Sequence, residues 1–285
     1  MRLANGGGCV DRIDALADPR VAPYRDLREG RLLDEQGLFV AESRHVVRRL
    51  LAGGRFRVRS LLLSETALAD LEGALAVCAD PLVVLLAPYA LLCEIAGYHV
   101  HQGCLALVER GAQPSVEEIA RRAAAGGGLI VGIERLGDPA NVGSVFRNAF
   151  AFGADAVLLA PGGADPLFRK AVRVSMAATL AVPFARAEAW PAEFEKLRAE
   201  GFVVLACVAQ QDARALHDFG RLLPLPPRVV LLFGSEGAGL DPATRAAADA
   251  ALTVPTAAGI DSLNVATASG IVLHHFSRVA RAGGR

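Results

Sequence analysis

The chain has 285 residues, 53% hydrophobic and 21% charged, enough apolar material for a full core across about two domains and unlike a disordered chain. Its 30 basic and 30 acidic residues cancel, which excludes a histone-like or polybasic binder and leaves only a local basic face. Mean hydropathy is high at +0.35, yet no apolar run reaches the roughly 18–20 residues of a membrane helix; the nearest, 82–92, is interrupted by Pro88.

Charge is uneven along the chain. Residues 1–60 hold 12 Arg against 8 acids, and residues 61–125 hold 3 Arg against 8 acids. Residues 40–51 place apolar side chains at 40, 46, 47, 50 and 51 with Arg44, Arg48 and Arg49 between them, which predicts an amphipathic helix with a cationic face. Residues 56–63, 82–87 and 105–108 read as strands. A small α/β domain over 10–110 follows from these elements. Residues 111–128 read as a linker holding Pro114 and a short helix. Ser115 and Glu118 have capping-box spacing, and the triple glycine 126–128 ends the helix.

A second domain is expected over 129–285. Strands are predicted at 129–133, 156–160, 181–184, 202–208 and 229–233, and helices at 141–152, 167–180, 190–200 and 263–279. This alternation predicts an α/β fold with a mostly parallel sheet covered on both faces. The five cysteines, at 9, 78, 93, 104 and 207, form no CxxC pair and read as free thiols in a reducing compartment. No apolar h-region follows Arg2, so no signal peptide is expected and the location reads as cytoplasmic. His45, His99, His101, His274 and His275 have no metal-site spacing, so no metal is expected.

GxxxxGK[ST], GxGxxG after a strand, GxSxG and HExxH are all absent. Three polar, glycine-bearing junctions at predicted strand ends remain, where open α/β sheets bind ligands. In the first, Asp138-Pro139 favours a turn, Asn141 could cap the next helix, and Arg147 lies six residues on, roughly 9 Å along the axis. The second is Gly234-Ser-Glu236-Gly-Ala-Gly-Leu240, whose glycines allow close backbone approach around one carboxylate. The third runs from Val254 and Pro255 into an Ala-rich helix through Ser262, Leu263 and Asn264, a helix N-terminus suited to an anion. Taken singly, these read equally well as a cap with a surface cation, a tight turn with a solvated Glu, and an ordinary Ser N-cap.

Their order and separation change that reading. The chain resembles the SpoU-type (TrmH-like) family of SPOUT 2′-O-ribose RNA methyltransferases over about residues 129–280. The family's DP-x-N-x-G-x-x-x-R motif is matched by Asp138, Pro139, Asn141, Gly143 and Arg147; GxEGxGL by Gly234, Glu236, Gly237, Gly239 and Leu240; and P…SLNV by Pro255, Ser262, Leu263, Asn264 and Val265. Ala140, Thr256 and Ala266 stand where the family usually has Gly, Met and Ser, small departures that bear on substrate fit.

The resemblance implies a C-terminal trefoil knot, S-adenosylmethionine held in the knot loops at Gly234, Val254 and Leu263, and a homodimer with residues 265–276 as interface candidate or, equally, as core. It implies methyl transfer to a ribose 2′-hydroxyl, with Asn141, Arg147, Glu236, Ser262 and Asn264 as the catalytic set. A guanidinium normally stays protonated, which favours Arg147 as a bidentate phosphate clamp over Arg147 as base. Arg173 and Ser175 resemble a further family stretch for RNA or cofactor contact. Residues 38–47 resemble the opening of a small ribosomal-protein-like substrate-binding domain, with Arg44, Arg48 and Arg49 as phosphate contacts or a solvated face. Ribosomal RNA is the favoured substrate and transfer RNA the next. The alternatives are a non-catalytic RNA-binding or assembly factor on the same scaffold, and an rRNA methylase conferring antibiotic resistance.

Overall fold

The structure is a computed structural model that describes residues 9–25, 33, 35–78, 81–210 and 213–277. The chain divides into two compact units. One joins Met1–Ala112 with Leu167–Leu180, and the other joins Gln113–Pro166 with Ala181–Arg285.

The first unit contains β1 (Cys9–Arg12), β2 (Leu38–Glu42), α1 (Arg44–Gly53), β3 (Val58–Leu63), α2 (Glu65–Ala76), β4 (Val83–Leu86), α3 (Tyr89–Ala96) and β5 (Cys104–Glu109). Its mixed sheet has the order β1-β4-β3-β5-β2; β4 is parallel to both neighbours, and β5 is antiparallel to β3 and β2. Ile13, Tyr24, Leu62, Leu85, Leu92 and Leu105 share its core. The helix expected from residue 40 begins at Arg44. Residues 38–42 are buried throughout and pair with β5, so the apolar run is a strand. Ser43, at φ 93°, turns the chain, and its Oγ accepts from Val46 N at 3.4 Å to cap α1.

The second unit opens with α4 (Val116–Ala125) and β6 (Leu129–Ile133). The capping box at Ser115 and Glu118 is present. Residues 111–128 are not simply a linker: α4 buries Val116, Ile119, Ala120 and Ala123 in this unit's core. Then come α5 (Pro139–Ala151) and β7 (Ala156–Leu159). The chain next enters the first unit for α6 (Arg169–Val174), so 129–285 is not one uninterrupted body. The continuous helix expected over 167–180 is broken at Met176 and Ala177, at φ 52° and 66°.

The chain returns for β8 (Phe184–Arg186), α7 (Phe194–Ala199), β9 (Val203–Cys207), β10 (Arg214–Ala215), β11 (Val229–Phe233), α8 (Pro242–Ala247), β12 (Ala250–Thr253) and α9 (Val265–Phe276). Strand β8 starts later than expected, past Pro183, which has no N–H for the ladder. Its seven strands are all parallel, in the order β10-β12-β9-β11-β6-β7-β8. All five residues of β6 and of β11 are buried, as central parallel strands require. Leu129–Ile133 pairs in register with Val229–Phe233, so β6 and β11 end side by side and Glu134 N donates to Phe233 O at 2.9 Å. That register sets two of the three junctions next to each other. Among the described residues, no helix is long and apolar enough to cross a membrane.

Candidate active site

Asp138, not Asn141, caps α5: its side chain accepts from Ala140 N at 2.9 Å, with Pro139 in the first helical position. Asn141, one turn in, is thereby released for other work. Its Nδ2 donates to Glu236 Oε1, and its Oδ1 accepts from Asn264 Nδ2 at 3.4 Å. Asn264 also supplies the cap of α9, its Oδ1 accepting from Ala266 N at 2.8 Å. Ser262 is therefore not the N-cap; it is exposed and lines the cavity described next. One hydrogen-bonded cluster thus takes a residue from each junction, joining positions separated by 95 and 123 residues.

Beside the cluster is a cavity of about 540 Å³, within the usual size range of small-molecule sites. Gly234, Val254 and Leu263 all line it, as do Glu236 and Ser262. Gly234 cannot be larger: a Cβ there would lie 2.1 Å from Gly239 C and 2.3 Å from Leu240 N. The loop 234–240 folds back on itself, with Ser235 and Gly239 exchanging backbone hydrogen bonds at 2.9 and 3.2 Å. Sequence reasoning missed Cys207, Gln210, Arg245 and Asp261 in the lining of the cavity. The strand-end rule could have found Cys207 and Gln210, because β9 ends at Cys207. Burial pushes the Cys207 thiol up, so it meets the cavity as a neutral group.

Arg147 is exposed on α5 and makes no hydrogen bond or ion pair among the described residues. It is left outside the Asn141–Glu236–Asn264 cluster. Buried Glu134, just past β6, joins the first two junctions: its Oε1 accepts from Asp241 N at 3.2 Å and its Oε2 from Trp190 Nε1 at 3.4 Å.

The first unit holds the other predicted residues. Arg44 donates from Nε to Gln102 O at 3.1 Å, and its Nη1 lies 3.7 Å from Asp70 Oδ2. Arg48 pairs with the same Asp70 carboxylate and donates to Asp70 O at 2.9 Å. The cationic face is thus partly neutralised by one acid of α2, while Arg49 on the same helix is half-buried. Arg173 is exposed, with Nη1 3.9 Å from Oε2 of buried Glu42. Ser175 is buried and donates to Val172 O at 2.9 Å, a bond within its own turn. Among the described residues, no group of three or more His, Cys, Asp or Glu could hold a metal ion.

A parallel α/β sheet with a ligand cavity and a polar cluster at its strand ends defines a ligand-binding fold of the open-sheet class. The comparisons with known proteins narrow that class. The SpoU rRNA Methylase family model matches residues 128–274. An uncharacterized tRNA/rRNA methyltransferase of Mycobacterium bovis is 37% identical over 270 residues, covering 92% of this chain and 89% of that one. The crystal structure of an AdoMet-bound rRNA methyltransferase from Sinorhizobium meliloti gives a TM-score of 0.77 at 26% identity, over 94% of this chain and 97% of that one. A 23S rRNA guanosine 2′-O-methyltransferase of Bacillus subtilis is 34% identical over 143 residues, 50% of this chain and 55% of that one. The chain belongs to the SpoU rRNA methylase family of RNA methyltransferases.

Proposed function

We propose that the protein methylates a ribose 2′-hydroxyl in structured RNA, ribosomal RNA first and transfer RNA next, using S-adenosylmethionine. The observation that carries this reading is the convergence of Asn141, Glu236 and Asn264 beside the cavity lined by Gly234, Val254 and Leu263. The cavity fits the cofactor in size, and the loop that carries Gly234 into its wall closes so tightly on Gly239 and Leu240 that position 234 admits no Cβ. Bound there, S-adenosylmethionine supplies an electrophilic sulfonium methyl. The Bacillus subtilis relative, a 2′-O-methyltransferase, supports the choice of acceptor.

In this reading Gly234, Val254 and Leu263 hold the cofactor through backbone groups, and the neutral Cys207 thiol adds no charge beside the sulfonium. Arg147, without a hydrogen bond or ion pair among the described residues, clamps an RNA phosphate and sets the ribose for in-line attack. Glu236 is kept in place by Asn141, and Asn264 fixes Asn141 in turn. Ser262 contributes a hydroxyl to the cavity wall. Arg44, Arg48, Arg49 and Arg173 contact RNA phosphates from the first unit. The loops 234–240 and 254–264 form the trefoil knot. Two copies pair through α9 and α5, which expose Ile271 and Phe150. A cytoplasmic location suits five free thiols.

Ribose-methylation mapping of ribosomal and transfer RNA in a deletion strain tests this reading. One 2′-O-methyl mark should vanish, return with the wild-type gene, and stay absent with Arg147→Ala. Persistence of every mark in the deletion strain would count against it and favour a binding or assembly factor.

A further inference from the structure

Helix α5 carries more than Asn141 and Arg147. Asn141, Ser144 and Asn148 fall at i, i+3 and i+7, one polar stripe along the helix. At the far end of that stripe, Asn148 Nδ2 donates to Ala266 O at 2.7 Å and to Ser269 Oγ at 3.0 Å, both on α9. Ser269 is fully buried, and its hydroxyl donates to the same Ala266 carbonyl at 3.1 Å. Gly270, next along α9, lets the amide approach: a Cβ there would lie 3.3 Å from Asn148 Nδ2.

Elsewhere the two helices meet at their C-terminal ends, where the Phe152 and His274 rings lie 5.6 Å apart and Ser277 Oγ donates to Phe152 O at 3.2 Å, and α9 buries an apolar face. Val265, Val272, Leu273 and Phe276 are the buried aliphatic and aromatic side chains of α9. Apolar burial is non-directional, so it holds two helices together without fixing how far one slides along the other. The bond from Asn264 to Asn141 is long, at 3.4 Å, and Asn264 is exposed. It reports the register of the two helices more than it sets it. The Asn148 bonds are short and directed, and they end on a buried partner.

We propose that Asn148 is a positioning residue. By locking α5 against α9 it sets Asn141 opposite Asn264 and Glu236, and holds its own neighbour Arg147 at the height where the ribose is presented. The proposal rests on the reading of Arg147, Asn141 and Asn264 as the reacting site. It assigns to Asn148 no contact with RNA or cofactor.

The test measures single-turnover methyl transfer, KM for RNA, S-adenosylmethionine affinity by calorimetry, and Tm. The full-length protein is compared with Asn148→Ala, Arg147→Ala, the double variant and Gly270→Ala. Asn148→Ala should lower the transfer rate about tenfold or more, while KM and cofactor affinity stay within about twofold, because misplacement by a fraction of an ångström acts on the rate. Added to Arg147→Ala it should cost less than it does alone, because part of its effect runs through that side chain and the rest through Asn141.

Gly270→Ala keeps every donor and improves helix propensity, yet crowds the amide. It should slow transfer about threefold with Tm unchanged or raised. This variant decides the matter if Asn148→Ala fails to fold. Three results would overturn the proposal: a wild-type rate in Asn148→Ala, losses of KM and cofactor affinity that track Tm, or Gly270→Ala at full rate. A fully active Arg147→Ala would instead remove the underlying reading of the site.

Discussion

Two sets of predicted residues met different fates in the two units. In the second, Asn141 at the start of α5 bonds to Glu236 of the 234–240 loop and to Asn264 at the cap of α9. In the first, Arg44 and Arg48 come from one helix and are held by Asp70. The former set is defined by long-range convergence, which chance rarely produces. The latter is defined by local composition, and a cationic stripe on a helix is commonly answered by acids on a neighbouring one. Site residues placed by a rigid parallel sheet therefore carry more functional weight than a charge pattern on one helix face.

The sharpest way to break that contrast is Arg147→Ala. Loss of a group that positions the reacting ribose should lower methyl transfer by about 100-fold or more, with Tm unchanged, since Arg147 is exposed and unbonded among the described residues. Gly234→Ala comes next. Its Cβ would overlap the backbone of Gly239 and Leu240, so calorimetry should show S-adenosylmethionine binding weakened about tenfold or more.

The first unit's face is tested more gently. Joint Arg44→Ala and Arg48→Ala substitution should weaken RNA binding several-fold and lower the salt slope by about two, if those groups reach phosphates. Asp70→Asn should move binding the other way, because the acid no longer competes with phosphate. No change in either variant would confine both arginines to intramolecular pairing. The smallest effect is expected at Ala177, a buried residue at φ 66° where glycine is at ease. Ala177→Gly should stabilise the protein by up to about 1 kcal/mol in denaturant titration, the left-handed strain relieved outweighing the added unfolded-state entropy.

Much of this was legible in the sequence, for reasons that can be named. Residues 129–133 and 229–233 are five-residue apolar runs bounded by glycine or polar residues, and both proved to be central parallel strands with those limits. The three junctions were legible as motifs, and each supplies a member of the cluster. The work of Asn141 was not legible from its local context, where a side chain near a helix start reads as a cap; only the family resemblance set it among the site residues. Only the structure shows Asp138 holding that post. Strand β12 was missed because Ala250-Ala-Leu-Thr253 has helical composition, and pairing with β9 overrides it. The break at Met176 and Ala177 was missed because neither is a residue that announces a left-handed turn. Arg245 reaches the cavity from α8, a segment with no motif of its own, and Asp261 from inside the third junction, where it was not singled out.

The central claim is that the converging loops transfer a methyl group to a ribose oxygen. The most direct measurement incubates the full-length protein with ribosomal RNA and methyl-labelled S-adenosylmethionine, then hydrolyses the RNA in alkali. A 2′-O-methyl group blocks cleavage at the bond beside it, so the account predicts label in an alkali-resistant dinucleotide, abolished by Arg147→Ala. Label released as mononucleotide would place the methyl on a base and contradict it.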